Sequence, residues 1–169
     1  MDESALASTL TLVTVACLLA FWLAPGGVLA LRQRAEGALQ VDVRLAYGPD
    51  TLYRLLHAYG SEGRHLFRAM LLADMVFPAM YGATLFMWGD VLASAFPHAA
   101  SAAAAARCCA IAAAAFDYCE NLFLLNALRH WDSRPHATAR LAGIFTTLKM
   151  MAFAATAMSL VAGWTIYRT

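Results

Sequence analysis

Apolar residues fill this chain in four long blocks, about residues 5–31, 66–89, 106–129 and 141–167, with no polar stripe of the kind that marks a soluble surface helix. Each block is long enough to carry a helix across a hydrocarbon core, which takes roughly 20 residues at about 1.5 Å per residue. The pattern changes in the first connection. There "GPDTLYRLLHAYG", residues 48–60, places Leu52, Leu55, Leu56 and Tyr59 at helical spacing, with Asp50 or Thr51 as a cap and Gly60 as a stop. Ser61 is then placed to cap the helix that leads into the second block. The expected fold is all-α: an integral membrane four-helix bundle in one domain over 1–169, with a short amphipathic interfacial helix in the first cytoplasmic loop.

Composition agrees with a membrane class, because a chain that is 62% hydrophobic and 14% charged has too little polar surface to cover a water-soluble bundle. The balance of 12 basic and 11 acidic residues offers no basic stripe, so no nucleic-acid partner is expected. Asp2 and Glu3 stand where a signal peptide would carry positive charge, and the first block is read as a retained helix loosened by Pro25, Gly26 and Gly27 near its inner end. The arginines sort by side. Arg32, Arg34, Arg44, Arg54, Arg64 and Arg68 lie between blocks one and two, and Arg129, Arg134 and Arg140 between three and four; only Arg107 and Arg168 fall on the alternate side. The positive-inside bias then puts both Arg-rich loops in the cytoplasm and both termini outside. In "YGSEGRHLF", "DMVFPAMYG", "FDYCENLF" and "FTTLKM" the chain resembles small four-span proteins of bacterial inner membranes, without matching a named family, and a multi-pass protein of the inner (cytoplasmic) membrane is the expectation.

Charge inside the blocks is what needs explaining. An ionised side chain at the centre of a span costs roughly 2.5–3.5 kcal/mol on insertion scales, yet Asp74, Asp117, Glu120 and Lys149, the only lysine, all lie there. Counted from the nearest inner arginine, their depths are roughly 9, 18, 14 and 14 Å, so three helices bring ionisable groups to a similar level. Asp117, Glu120 and Asn121 share one helix face, as do Asp74, Pro78 and Tyr81. On the last block Ala142, Thr146, Lys149, Ala152, Thr156, Ser159 and Gly163 make a small and polar stripe suited to close packing, as does the Ala-rich run 99–115. Three carboxylates against one ammonium would leave net negative charge in low dielectric, so at least one carboxyl is expected to keep its proton.

Asp74, Asp117, Glu120 and Lys149 are therefore the candidate catalytic residues, with Tyr81, Tyr118, Asn121, Thr146 and Thr147 as hydrogen-bonding or substrate-binding partners. Such a set fits an intramembrane acid–base enzyme, an isomerase or cyclase, or else a binder, acting on an apolar isoprenoid- or sterol-like lipid. Proton-coupled transport by a dimer and a purely structural cluster that glues helices together use the same residues. Expected partners are membrane lipid, an apolar small molecule and a second copy of the chain. No cofactor and no metal are expected: D-x-x-E at Asp117 and Glu120 could hold Mg²⁺ with Asp74, but Lys149 competes for the same carboxylates. Arg64 and Arg68, one turn apart, are placed to meet lipid phosphates or to act as interfacial anchors. His57, His65, His98, His130 and His136 fall in loops or at block ends, and Cys17, Cys108, Cys109 and Cys119 form no C-x-x-C, so the cysteines are read as small buried hydrophobes. Reporter fusions at both ends are expected to register outside the cytoplasm; a cytoplasmic C-terminus would reverse the orientation and the depths counted from it.

Overall fold

The computed structural model describes residues 2–24, 27–35, 41 and 44–166. Among them six α-helices build four passes: α1 (Glu3–Leu23) with α2 (Val28–Arg34), α3 (Pro49–Asp74) with α4 (Phe77–Ala95), α5 (Ala100–Arg129), and α6 (His136–Ile166). Each pass is long and apolar enough to cross a membrane, and together they form a bundle. Short links, a 3₁₀ turn at Pro97–Ala99 and the turn at 130–135, make α4, α5 and α6 sequential neighbours in space. Pro25 and Gly26 lie outside the described residues; the helix stops at Leu23 and resumes at Val28.

The α5–α6 interface is the most extensive in the bundle among the described residues, and its residues show why. Ala103, Ala106, Ala110 and Ala113 are completely buried, then Asp117, Glu120, Leu124 and Ala127 continue the same three-and-four spacing. On α6 the buried set is Ala139, Ala142, Gly143, Thr146, Lys149, Ala152, Thr156 and Gly163. Small side chains at these positions let two backbones approach where lipid supplies no hydrophobic drive. The α4–α5 contact uses the same device: a side-chain carbon added at Gly82 would sit 3.1 Å from Ala114 Cβ. The cysteines do not join this core, since Cys17 and Cys108 are exposed and Cys109 and Cys119 half-buried.

The amphipathic segment over 48–60 is the first half of α3, and its apolar face is covered by protein. Leu52, Tyr53, Leu55, Leu56 and Tyr59 pack with Leu31, Phe67, Leu124, Leu128 and Ala139 into one core at the Arg-rich end. Its cap is not Asp50 or Thr51. Gly48 is extended at the N-cap and Pro49 opens the helix, which puts Asp50 in the first turn where its charge complements the helix dipole. Gly60 does interrupt the helix: its φ of 65 and ψ of −173 lie in a region that essentially only glycine enters. The Tyr53 hydroxyl donates to the Pro135 carbonyl at 3.0 Å. That bond ties α3 to the α5–α6 turn and brings both Arg-rich connections to one end of the bundle. At the other end Arg107 pairs with Asp90 at 2.7 Å.

The second pass is broken. Pro78 has no N–H for the Asp74 carbonyl, so the helix cannot run on at that point. Instead Met75 and Val76 turn back to the Leu72 and Ala73 carbonyls at 3.4 Å each, and α4 restarts at Phe77. A single unbroken helix over 66–89 is thus replaced by two, with Asp74 at the junction. The first pass is held differently: α1 has one buried residue, Ala7, and is pinned to α4 by Trp88 Nε1 donating to Thr11 Oγ1 at 2.9 Å and by a Thr14–Thr84 hydroxyl contact at 3.0 Å. Among the described residues α1 shares no substantial interface with α6. Gly82→Leu is expected to force α4 and α5 apart at a cost of about 1–3 kcal/mol, whereas Ala105→Leu, on an exposed face of α5, is expected to melt like the parent in detergent.

Candidate functional site

The α5–α6 seam carries its polar residues at mid-height. Lys149 Nζ lies 2.6 Å from Glu120 Oε2 and 3.1 Å from Asp117 Oδ1, so the ammonium bridges both carboxylates rather than choosing one. Glu120 is completely buried, and Asp117 and Lys149 are 5% and 8% exposed. The second oxygen of each carboxylate also has a donor within reach. Tyr81 OH donates to Asp117 Oδ2 at 3.0 Å, and the Thr146 hydroxyl reaches Glu120 Oε1 at 2.5 Å. Thr146 Oγ1 is also 3.0 Å from the Ala142 carbonyl; with one proton it serves one of the two at a time. Burial makes this satisfaction necessary, because a charge without partners in low dielectric costs several kcal/mol.

A second branch joins through α5. Asn121, 1% exposed, donates from Nδ2 to Asp74 Oδ2 at 2.7 Å. Asp117, Glu120 and Asn121, sharing one face, thereby hold Lys149 and Thr146 of α6, Tyr81 of α4 and Asp74 at the end of α3. One turn of α5 is the hub for three other helices. Asp74 is only half-buried, since the helix break opens the backbone around it.

Two neighbouring cavities open beside this network. One, of about 330 Å³, is lined by Asp74, Asp117, Lys149 and Tyr81 on one side and by Phe21, Trp22, Phe77 and Phe153 among its apolar walls. The other, of about 210 Å³, shares Leu18, Phe21, Asp74 and Phe77 with it. Both lie where α1 rests on α4 without closing on α6. Tyr81 sits between two rings, with centroids 5.5 Å from Phe77 and 4.8 Å from Phe153. Polar groups converging on an apolar, aromatic-walled recess are the usual makings of a small-molecule site, and 330 Å³ lies at the low end of the range.

Of the residues singled out in the sequence, Asp74, Asp117, Glu120, Lys149, Tyr81, Asn121 and Thr146 come together here. Glu120 and Thr146 line neither cavity; Glu120 pairs with Lys149, and Thr146 holds Glu120. Tyr118 is half-buried one residue round the helix from Asp117 and enters none of these contacts. Thr147 faces another way, donating to the Leu45 or Gly143 carbonyl at 3.1 Å. The aromatic wall was missed, although Phe77 and Phe153 stand four residues from Tyr81 and Lys149 and so share their faces. The five histidines are exposed, and among the described residues no three His, Cys, Asp or Glu side chains converge as metal ligands. Comparison with protein-family models, characterised proteins and solved structures finds no match for this chain.

Lys149→Met is expected to strand two buried carboxylates and to cost about 3–5 kcal/mol in a detergent melt. Adding Glu120→Gln should recover part of that loss, and adding Asp117→Asn most of the rest. A Lys149→Met protein that melts like the parent would show that the ammonium does not hold the network together.

Proposed function

We propose that the protein is an intramembrane acid–base enzyme, of isomerase or cyclase type, acting on an apolar isoprenoid- or sterol-like lipid that enters between α1 and α6. The observation that carries this reading is the aromatic cavity of about 330 Å³ into which Asp74, Asp117, Tyr81 and Lys149 emerge together. A structural cluster needs no cavity, whereas proton transfer to carbon needs an apolar substrate beside a carboxyl. The protein is taken to sit in a bacterial inner membrane with both termini outside.

The chemistry follows from the groups present. A carboxyl of this set delivers its proton to one carbon of a carbon–carbon double bond, and the substrate becomes a carbocation as the carboxyl becomes a carboxylate. A carboxylate of the set then removes a proton from an adjacent carbon, which re-forms a double bond one position along. The proton count is unchanged. Between the two steps the positive charge lies against the faces of Phe77, Tyr81 and Phe153, where aromatic quadrupoles favour it. Lys149 and Glu120 keep Asp117 in place, and Asn121 orients Asp74.

A second reading, interhelical glue, is favoured by one observation: each oxygen of Asp117 and Glu120 has a donor or cation within 3.1 Å. Asp74→Asn and Asp117→Asn distinguish the two, since each keeps its shape while losing a transferable proton; in Asp117→Asn the amide oxygen still accepts from Lys149 and the amide nitrogen donates to the Tyr81 hydroxyl, which turns to accept. Both variants are expected to melt within about 1 kcal/mol of the parent, the scale of an interhelical hydrogen bond. Both are also expected to abolish the change that the parent makes in the apolar lipid profile of a host cell. A lipid profile altered equally by parent and variants, or by neither, would count for glue.

A further inference from the structure

A separate cavity lies at the Arg-rich end, between α3 and α5, and shares no lining residue with the two beside the buried network. It measures about 470 Å³, and Arg64, His65, Arg68 and Arg129 line it without any acidic residue. The i, i+4 spacing of Arg64 and Arg68 puts both on one face of α3, and Arg129 comes from the last turn of α5. Like charges gather at a cost unless something offsets them. The nearby carboxylate of Glu62 is engaged elsewhere, 3.0 Å from Arg34. Arg64 is already positioned, its guanidinium 3.8 Å above the Trp131 ring and its Nη1 donating to the Leu56 carbonyl at 3.2 Å. Arg68 and Arg129 are exposed and make no ion pair or hydrogen bond among the described residues.

We infer that this cavity binds the phosphate group of an anionic membrane lipid. Guanidinium groups fit phosphate oxygens through paired N–H donors, and a phosphate with more than one charge would offset the crowding of cations. The floor of the cavity points to a lipid as the source rather than to free phosphate. Leu72 and Leu125, each four residues deeper than Arg68 and Arg129, line the same cavity. Leu72 is 53% exposed, and Leu122, one turn below Leu125's level, is 60% exposed. An apolar track thus leads from the arginines toward the membrane interior, as an acyl chain requires. Trp131, with an apolar body and a polar edge, belongs at the headgroup level where such a phosphate lies.

The test uses the purified chain in an uncharged detergent. Dioctanoyl phosphatidic acid, dioctanoyl phosphatidylcholine and inorganic phosphate are titrated separately while melting temperature and tryptophan emission are followed. Phosphatidic acid is expected to raise the melting temperature saturably and to change the emission; the other two are expected to do neither at the same concentration. Arg68→Gln with Arg129→Gln should weaken the phosphatidic acid response at least tenfold, since about two charge-assisted contacts are lost. The pair Arg54→Gln and Arg140→Gln, which removes as much positive charge outside the cavity, should leave it unchanged. Equal weakening by both pairs, or no weakening by the first, overturns the site. An equal response to inorganic phosphate overturns the lipid assignment.

Discussion

One buried ammonium sets the terms for the rest of the bundle. Lys149 lies in a span with 8% of its surface exposed, and it is tolerable there because Glu120 and Asp117 meet it at 2.6 and 3.1 Å. Those distances require α5 and α6 to lie close at that level, which the alanines of α5 and the small residues of α6 permit. The carboxylates in turn need donors, and these come from Thr146 on α6 and Tyr81 on α4. Asn121 extends the chain of dependence to Asp74. Removing the charge would relax every one of these demands, and well-packed apolar residues often replace buried ion pairs without loss of stability. The proposed acid–base role accounts for keeping it.

The proposed role is connected with the two places where the bundle is imperfect. Pro78 breaks the second pass beside Asp74, and α1 leans on α4 through hydroxyl and indole contacts while leaving α6 uncovered. The resulting recess has aromatic walls and reaches the network through Asp74, Asp117 and Tyr81. A helix break at membrane depth is tolerated where the freed backbone is buried in protein or lines a cavity, and here residues Ala73, Asp74, Val76 and Phe77 around the break line one. The same break leaves Asp74 half-buried while Glu120, on an unbroken helix, is sealed. Carboxyls of similar chemistry are thereby divided between a fixing role and an exposed one.

Much of this was legible in the sequence because membrane helices obey few rules. Span count followed from hydropathy and length, and the meeting of Asp74, Asp117, Asn121, Glu120 and Lys149 followed from their shared depth and from helical spacing on α5. The choice of Thr146 over Thr147 could be read only from the stripe that Thr146 shares with Lys149, and neighbours in sequence point about 100° apart on a helix. Tyr118 stands aside for the same reason. The break at Asp74 was not visible in a hydropathy window, which weighs side chains and ignores the N–H that Pro78 lacks. Nor could periodicity tell whether Leu52, Leu55 and Leu56 face lipid or protein, since both are apolar; the structure buries them in a core with Phe67 and Leu124. The cavity escaped because it depends on how α1 is seated, and no pattern within one helix records its neighbour.

A crystal structure of the protein grown from a lipid phase, without prior delipidation, tests the central claim most directly. The account predicts elongated non-protein density between α1 and α6, ending within contact distance of Asp74 and Asp117 and flanked by Phe77, Tyr81 and Phe153. An α1 closed onto α6, with Phe21 and Trp22 filling the recess and no space left beside Asp117, would contradict it and leave the buried network with a structural role alone.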